Sequence, residues 1–477
     1  MTLLFSLLVA AGIGAVAFSL VHGDLATIRY YPWLCLWLSL GFGLGISSMS
    51  LFIWSVLLYP SAGYILAELY LVVALAVPLI YRVTTKPLAA PSQTPPGASL
   101  RSGRLSPLQI FFYVLLISSL LSFAFLFTAG PHGVWDAWAV WNLRARFIFL
   151  GGEHWLDGFS GALRWSHPDY PLLLPALVAR AWIYTGQNSV VAPALVATLF
   201  TFATLGLLVS SLGIFRGKTQ GLIAGIVFMG TPFFFEHGAS QQADIPIGFY
   251  ILATLVLVCL AEHRPSGKNS WMILAGAMAG FSAWTKNEGL LFLTSVFAVR
   301  LAITAVTKER TGGASQWLFF PLGLLPMLVT VSYLKLWLAP FEDPLLTQGW
   351  QAIAKLGNLS RYLQVWQAFQ WEPGSFRNWV VPLALAFYAL LMGKSAKSKE
   401  RQAVGTAAGA LLLVLIGYFL VYVVTPWDLD WYVKTSQARL LMQLWPSIVF
   451  VFFLIVRAPD EAAGMTRQQS FPGLGRS

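Results

Sequence analysis

The chain is cut into apolar blocks, each long enough to cross a bilayer, with short polar connectors between them. A membrane-spanning helix takes about 20 residues. Backbone groups in lipid must be satisfied internally, which leaves helices or a closed barrel. The blocks lack the period of two that marks barrel strands. They read as helices at roughly 3–21, 33–58, 63–81, 108–128, 190–214, 219–235, 244–262, 271–285, 289–306, 316–338, 379–393, 403–425 and 438–457. The expectation is an all-α polytopic membrane protein with about 13 transmembrane helices and amphipathic interfacial helices in its outer loops. The run 171–184 is apolar but short, and reads as interfacial or re-entrant.

Composition agrees. Of 477 residues, 57% are hydrophobic and only 10% charged, against about 25% in soluble proteins. The net charge of +11 would suggest nucleic acid in a soluble chain. Here Lys and Arg gather in connectors, the pattern of cytoplasmic loops, so no nucleic-acid partner is expected. Cys35 and Cys259 fall inside apolar runs and read as small core residues. The first run lacks a basic leader and a cleavage signal, so it reads as a retained helix.

Charge also sets an orientation. The connectors holding Arg82, Lys86, Arg101 and Arg104, Arg216 and Lys218, Arg264 and Lys268, Lys308 and Arg310, and Lys394, Lys397, Lys399 and Arg401 should be cytoplasmic. The opposite side then receives 130–170, 236–243, 339–378 and 426–437. Composition divides the chain into an N-terminal three-helix unit at 1–83, a flexible cytoplasmic Pro/Ser/Gly linker at 84–107, a main membrane module at 108–457 and a disordered cytoplasmic tail at 458–477.

The outer segments carry the candidate chemistry. Asp136 lies between Trp135 and Trp138, and Arg144 and Arg146 follow. Tryptophans favour the membrane–water interface, where a carboxylate can take a proton from an attacking hydroxyl. Asp136 could equally cap the next helix or pair with Arg144 or Arg146. His167, Pro168, Asp169, Tyr170 and Pro171 form a second cluster, in which two prolines fix the chain's entry into an apolar run. Glu236, His237 and Asp244 flank one short loop. A divalent metal is conceivable there, but no ligand spacing of a specific type is present, so no metal site is assigned. Asp244 also suits a helix N-cap. Lys286 and Glu288 interrupt apolar sequence, where charges are costly and usually paired or functional. Arg439 falls in the first turn of the run starting at 438, where a guanidinium beside a helix N-terminus would hold an anion. Loop 339–378, with Trp350, Trp366, Trp371 and Trp379, reads as an aromatic interfacial lid.

With Asp136, His167 to Pro171, Asp244 and Arg439 taken together, the chain resembles the GT-C superfamily of membrane glycosyltransferases over roughly 108–457. That group includes protein O-mannosyltransferases and the transferases that add aminoarabinose or core sugars to bacterial lipopolysaccharide. In such enzymes an acid in the first large outer loop acts as base, followed by a His-Pro-Pro-Leu-type segment. Here the segment runs His167, Pro168, Asp169, Tyr170, Pro171, Leu172, and a later acid-bearing helix start reads Gln242, Ala243, Asp244, Ile245, Pro246. Many members pair two acids in the first loop, whereas Ala137 follows Asp136. The resemblance implies a polyprenyl-phosphate-sugar donor held by Arg439, Lys286, Arg144 and Arg146. It implies catalysis by Asp136 with Asp169 and His167, membrane lipids as surroundings, and an unspecified acceptor. It further implies a bacterial inner membrane with the site facing the periplasm or exterior. An O-antigen polymerase or ligase, with Arg361 and Arg377 in the late loop, and a polytopic transporter are the alternatives.

Overall fold

The computed structural model describes residues 2–23, 25–85, 105–263, 267–307, 317–339, 348–371, 379–395 and 401–462. The apolar runs become α1 (Thr2–His22), α2 (Leu25–Tyr30), α3 (Pro32–Leu58), α4 (Gly63–Thr85) and α5 (Pro107–Ala129). After a long loop come α6 (Asn142–Leu150), α7 (Leu173–Thr185), α8 (Val191–Arg216), α9 (Lys218–Met229) and α10 (Pro232–Ala239). The bundle continues with α11 (Asp244–His263), α12 (Lys268–Thr285), α13 (Glu288–Thr307) and α14 (Phe319–Tyr333). It ends with α15 (Trp350–Leu356), α16 (Leu359–Trp371), α17 (Val380–Met392), α18 (Arg401–Val424) and α19 (Leu429–Ile455). Most of the predicted 84–107 linker and of the tail lies outside the described residues.

The chain is an all-α integral membrane protein. Among the described residues ten helices are long and apolar enough to cross a membrane, or eleven if α9 and α10, bent by 67° at Thr231–Pro232, form one span. The expected thirteen runs all lie on helices, but not all qualify. α17 has only 13 residues. α12 fails on composition because it is an inner helix: its glycines admit neighbouring backbones, and a Cβ on Gly276 would lie 1.9 Å from the Phe320 carbonyl. Such a surface faces protein, not lipid, and needs little hydropathy. α7, about 20 Å long, is too short to cross about 30 Å of hydrocarbon, in line with the short run's reading.

α11 is the centre of the bundle, buried throughout its apolar length. α3 reaches it: Tyr250 donates to the Gly41 carbonyl at 2.9 Å, and the Ser48 hydroxyl donates to the Leu173 carbonyl at the start of α7. A second tie is ionic. Nε of Arg180 in α7 is shared between both Glu68 oxygens at 2.8 and 2.9 Å and its Nη2 donates to the Ser6 carbonyl, while Tyr184 donates to Glu68. This joins α1, α4 and α7.

Basic connectors collect at one end of the bundle. Arg82 binds the Leu20 and Gly23 carbonyls, Arg216 binds the Leu454 carbonyl, and Lys394 bridges Val456. Cations on terminal carbonyls satisfy groups the helices leave unpaired. The first residues of the expected disordered tail are placed at this end, where Ser395 donates to Glu461. The opposite end gathers the 130–172 loop, the α12–α13 turn, the α18–α19 turn and the helix pair α15–α16. Lys355 and Arg361 of that pair donate to the Val423 and Thr425 carbonyls, closing the end of α18.

Candidate functional site

The loop carrying Asp136 is set by glycine and pinned to its neighbour. Gly133 adopts φ +68, and a Cβ there would lie 2.5 Å from the Ser240 carbonyl. Gln241 donates to the Pro131 carbonyl at 2.9 Å. Asp136 immediately precedes a π turn at Ala137–Trp141 and makes no capping bond. Its partner is neither Arg144 nor Arg146 but Arg439, 2.7 Å away.

Arg439 also reaches Asp244, with Nε and Nη2 at 3.2 and 3.1 Å from Oδ2. Asp244 accepts in turn from Lys286 at 3.0 Å and Gln443 at 2.7 Å. Lys286 continues to Glu288 at 2.7 Å, and Tyr418 donates to Gln443. Burial opposes the charge on Lys286, but Asp244 and Glu288 outweigh it and hold the ammonium above the usual lysine range. The approach of α19 to α11 depends on Gly248, where a Cβ would meet the Gln443 carbonyl at 2.9 Å. Five charged groups therefore form one chain, with three carboxylates against two cations. Its middle is sealed, with the Asp244 side chain 1% exposed, whereas the members toward its ends, Asp136, Arg439 and Glu288, are 26%, 23% and 20% exposed.

Arg439 is not at a helix start. Asp428 caps α19 by accepting from the Trp431 amide at 2.8 Å, so the helix begins at Leu429, and Arg439 lies well inside it. The anion-binding argument from a helix N-terminus does not apply there. Arg439 acts through its guanidinium alone.

The second cluster stands beside the first. His167 takes a left-handed φ of 50° and stacks on Tyr170, which stacks on Trp141. Its side chain reaches solvent, yet desolvation by surrounding protein holds the imidazole below the usual histidine range, against the pull of Asp169 and Asp136. Asn287 donates to Asp169 at 3.0 Å. Lys335 donates to the Asp169 carbonyl and sits 3.6 Å from its carboxylate. Arg144 holds this loop from beneath, donating to the Ser166 and His167 carbonyls at 2.5 and 3.2 Å. Burial pulls its guanidinium down to about 10, with Asp169 opposing, so it remains charged at neutral pH. Trp135 packs against Trp138 and Trp165 at the exposed rim.

The structure thus joins Asp136, Arg439, Asp244 and Lys286, and sets His167 and Asp169 beside them. His237 lies on the Phe233 ring, within electrostatic reach of Asp244 and Arg439. Glu236 is half-buried on the same short helix, and Arg146 is half-buried on α6. Among the described residues no three His, Cys, Asp or Glu side chains converge as a metal site would require. Lys335, Asn287 and Gln443 were not singled out in the sequence. Lys335, a lone cation within an apolar run, carried a usable signal.

The family model for dolichyl-phosphate-mannose-protein mannosyltransferases matches residues 166–337. That stretch runs from the His167 corner through Asp244 and Lys286 to Lys335, and stops short of Asp136 and Arg439 on either side. No curated protein matches the chain in sequence. Among solved structures, the apo crystal structure of ArnT from Cupriavidus metallidurans is similar at 13% identity and a TM-score of 0.36, over 73% of this chain and 77% of that one.

Proposed function

We propose that the chain is a membrane glycosyltransferase of the GT-C superfamily, a reading supported by the family-model match over residues 166–337, and that it moves a sugar from a polyprenyl-phosphate-linked donor to a lipid, glycan or protein acceptor. In this reading the site faces the periplasm or exterior of a bacterial inner membrane. The basic connectors, gathered at the opposite end of the bundle, support that orientation.

Asp136 is the base. The observation that carries this role is the contrast in access: Asp136 meets solvent, while Asp244, on the same arginine, is sealed. Asp136 takes the proton of the acceptor hydroxyl as its oxygen attacks the anomeric carbon. The bond from that carbon to the donor phosphate breaks in line, and its electron pair leaves with polyprenyl phosphate, inverting the centre. Arg439 meets the charge that builds on the leaving phosphate. When it turns to the phosphate it releases Asp136, so donor binding frees the base. Asp244 and Gln443 hold Arg439 and Lys286 in place, and Arg144, Asp169 and His167 shape the adjoining wall. Arg146 and the Glu236–His237 pair stand at the margin of this arrangement.

The test uses purified protein in vesicles with polyprenyl-phosphate-linked sugars, measuring release of polyprenyl phosphate. Asp136→Asn should lower turnover by about two to four orders of magnitude, the range for a lost general base, with unchanged thermal unfolding. Turnover within a few-fold of wild type would remove Asp136 from this role.

A further inference from the structure

The turn between α12 and α13 carries three successive polar side chains, Lys286, Asn287 and Glu288. It is tight. A Cβ on Gly289 would lie 2.1 Å from the Ser282 carbonyl. The Gly289 and Leu290 amides donate back to the Lys286 and Asn287 carbonyls, both at 3.0 Å. Two of the three side chains are committed to partners: Lys286 donates to Asp244, and Asn287 to Asp169. Glu288 differs. Its Oε1 lies 2.7 Å from Lys286 and 3.5 Å from Gln443, but nothing among the described residues bonds its Oε2. Asp136 and Asp244 suffice to balance Arg439 and Lys286, so Glu288 brings the extra negative charge of the cluster.

Tyr170 is within electrostatic reach of Glu288 and of Arg439. Its ring is stacked on both His167 and Trp141, which fixes the direction of its hydroxyl. No group among the described residues bonds that hydroxyl. Burial first, then the charges of Glu288 and Asp169, hold the phenol well above the usual tyrosine range, so it keeps its proton and remains a donor. An unused carboxylate oxygen and an unused phenol hydroxyl are thus neighbours, each on a side chain fixed from behind. An ionised carboxylate only accepts hydrogen bonds, whereas a phenol can donate one. A single alcohol satisfies both, donating to the first and accepting from the second. A phosphate would be repelled by Glu288, and an apolar chain would desolvate both groups without replacing their bonds.

We propose that Glu288 and Tyr170 read one hydroxyl of the transferred sugar, which donates to Glu288 Oε2 and accepts from the Tyr170 phenol. This rests on the glycosyl transfer proposed above. Asp136 and Arg439 mark where acceptor and leaving phosphate meet the anomeric carbon. Glu288 lies further along the charged chain, past Asp244 and Lys286, so the hydroxyl it reads is remote from that carbon. The pair selects a ring that keeps this hydroxyl free, and disfavours rings that are deoxygenated or acylated there.

The experiment uses the full chain in vesicles with polyprenyl phosphates carrying mannose, glucose or galactose, and with monodeoxy analogues of the hexose that turns over fastest. In the wild type one deoxy position should lower kcat/KM by about ten- to hundredfold, the range for a hydrogen bond to a charged group. Glu288→Ala should shrink the ratio of parent hexose to that analogue to within about threefold, while ratios at other positions hold. Tyr170→Phe keeps the ring stack and the Lys286 pair, and should shrink the ratio at the same position even if Glu288→Ala fails to fold. Glu288→Gln, which keeps an acceptor oxygen, should retain part of it. Equal slowing of every hexose and analogue would mean that Glu288 only supports Lys286, and would overturn the proposal. A wild type that turns over a hexose but discriminates against no deoxy position would overturn it too, with glycosyl transfer left standing. Turnover of none of the three hexoses by well-folded wild type would overturn this assignment and the hexosyl donor together.

Discussion

Two ion-paired groups buried among the described helices are closed in different ways. Glu68 and Arg180 form a neutral pair whose side chains are 0% and 2% exposed. The shared Arg180 Nε, the Ser6 carbonyl and the Tyr184 hydroxyl give both members further hydrogen bonds. The Asp136–Arg439–Asp244–Lys286–Glu288 chain carries one carboxylate more than it has cations, and it opens to solvent at Asp136 and Arg439 and again at Glu288. Charge inside a membrane is costly in both places. In the first its fixed partners are its whole purpose. In the second, an exposed lip and an arginine shared by two acids leave room for a ligand to change the pairing.

The sharpest test of this contrast removes one carboxylate from each group. Asp244→Asn takes away the sealed anchor of Arg439 and Lys286. Turnover should fall by about two orders of magnitude or more, because positioned charges supply much of the barrier lowering. Stability should fall with it, since breaking a buried pair costs about 3–5 kcal/mol. Glu68→Gln should lower stability by a similar amount while the folded fraction keeps its kcat and donor KM. Loss of kcat in well-folded Glu68→Gln protein would erase the distinction. The double variant Glu68→Gln with Arg180→Met should recover much of the stability, as replaced buried pairs often do. Thermal unfolding and steady-state kinetics on the same samples read both quantities.

Smaller effects sharpen the open cluster. Arg439→Lys keeps a charge but loses the fork that spans two carboxylates, so donor KM should rise by about tenfold, the scale of one lost charge-assisted bond. Wild-type KM for the lysine variant would show that only charge matters. His167→Asn should change turnover only a few-fold, and the pH profile should show no inflection near the usual histidine range, because the imidazole is held below it. The orientation of the whole comparison is checked by labelling intact cells with an impermeant thiol reagent. Ser160→Cys should react and Lys218→Cys should not; the reverse would turn the open lip toward the cytoplasm.

Much of the bundle was legible because apolar runs announce helices directly, although the run 219–235 is broken between α9 and α10. What the runs do not say is whether a helix faces lipid or protein, nor how long it stays regular, so the inner helix α12 and the 13-residue α17 were counted as spans on pattern alone. Asp136, Asp244, Lys286 and Arg439 were each visible as polar residues near span ends. Their meeting was not, since nothing in local sequence measures a contact between residues about 300 positions apart. Arg439 was misplaced by a turn signal read too weakly: Asp428 is a good capping residue, and it starts α19 ahead of the strongly apolar stretch. Glu68, Arg180 and Lys335 were passed over inside runs judged by their average character. Arg144 was read as a partner of Asp136 or a holder of the donor phosphate, but it holds backbone carbonyls of the neighbouring loop.

That early start of α19 bears on how the protein sits in the bilayer. The helix has 27 residues, about 40 Å at the usual rise, against hydrocarbon about 30 Å thick. The surplus lies on the side of Asp428, and Arg439 falls about 15 Å from that end. Hydrophobic mismatch is relieved by tilt or by local change in bilayer thickness, so the depth of the guanidinium relative to the lipid phosphates follows the membrane. Lipid composition is then an input to turnover, acting on the same side chain that mutation would target.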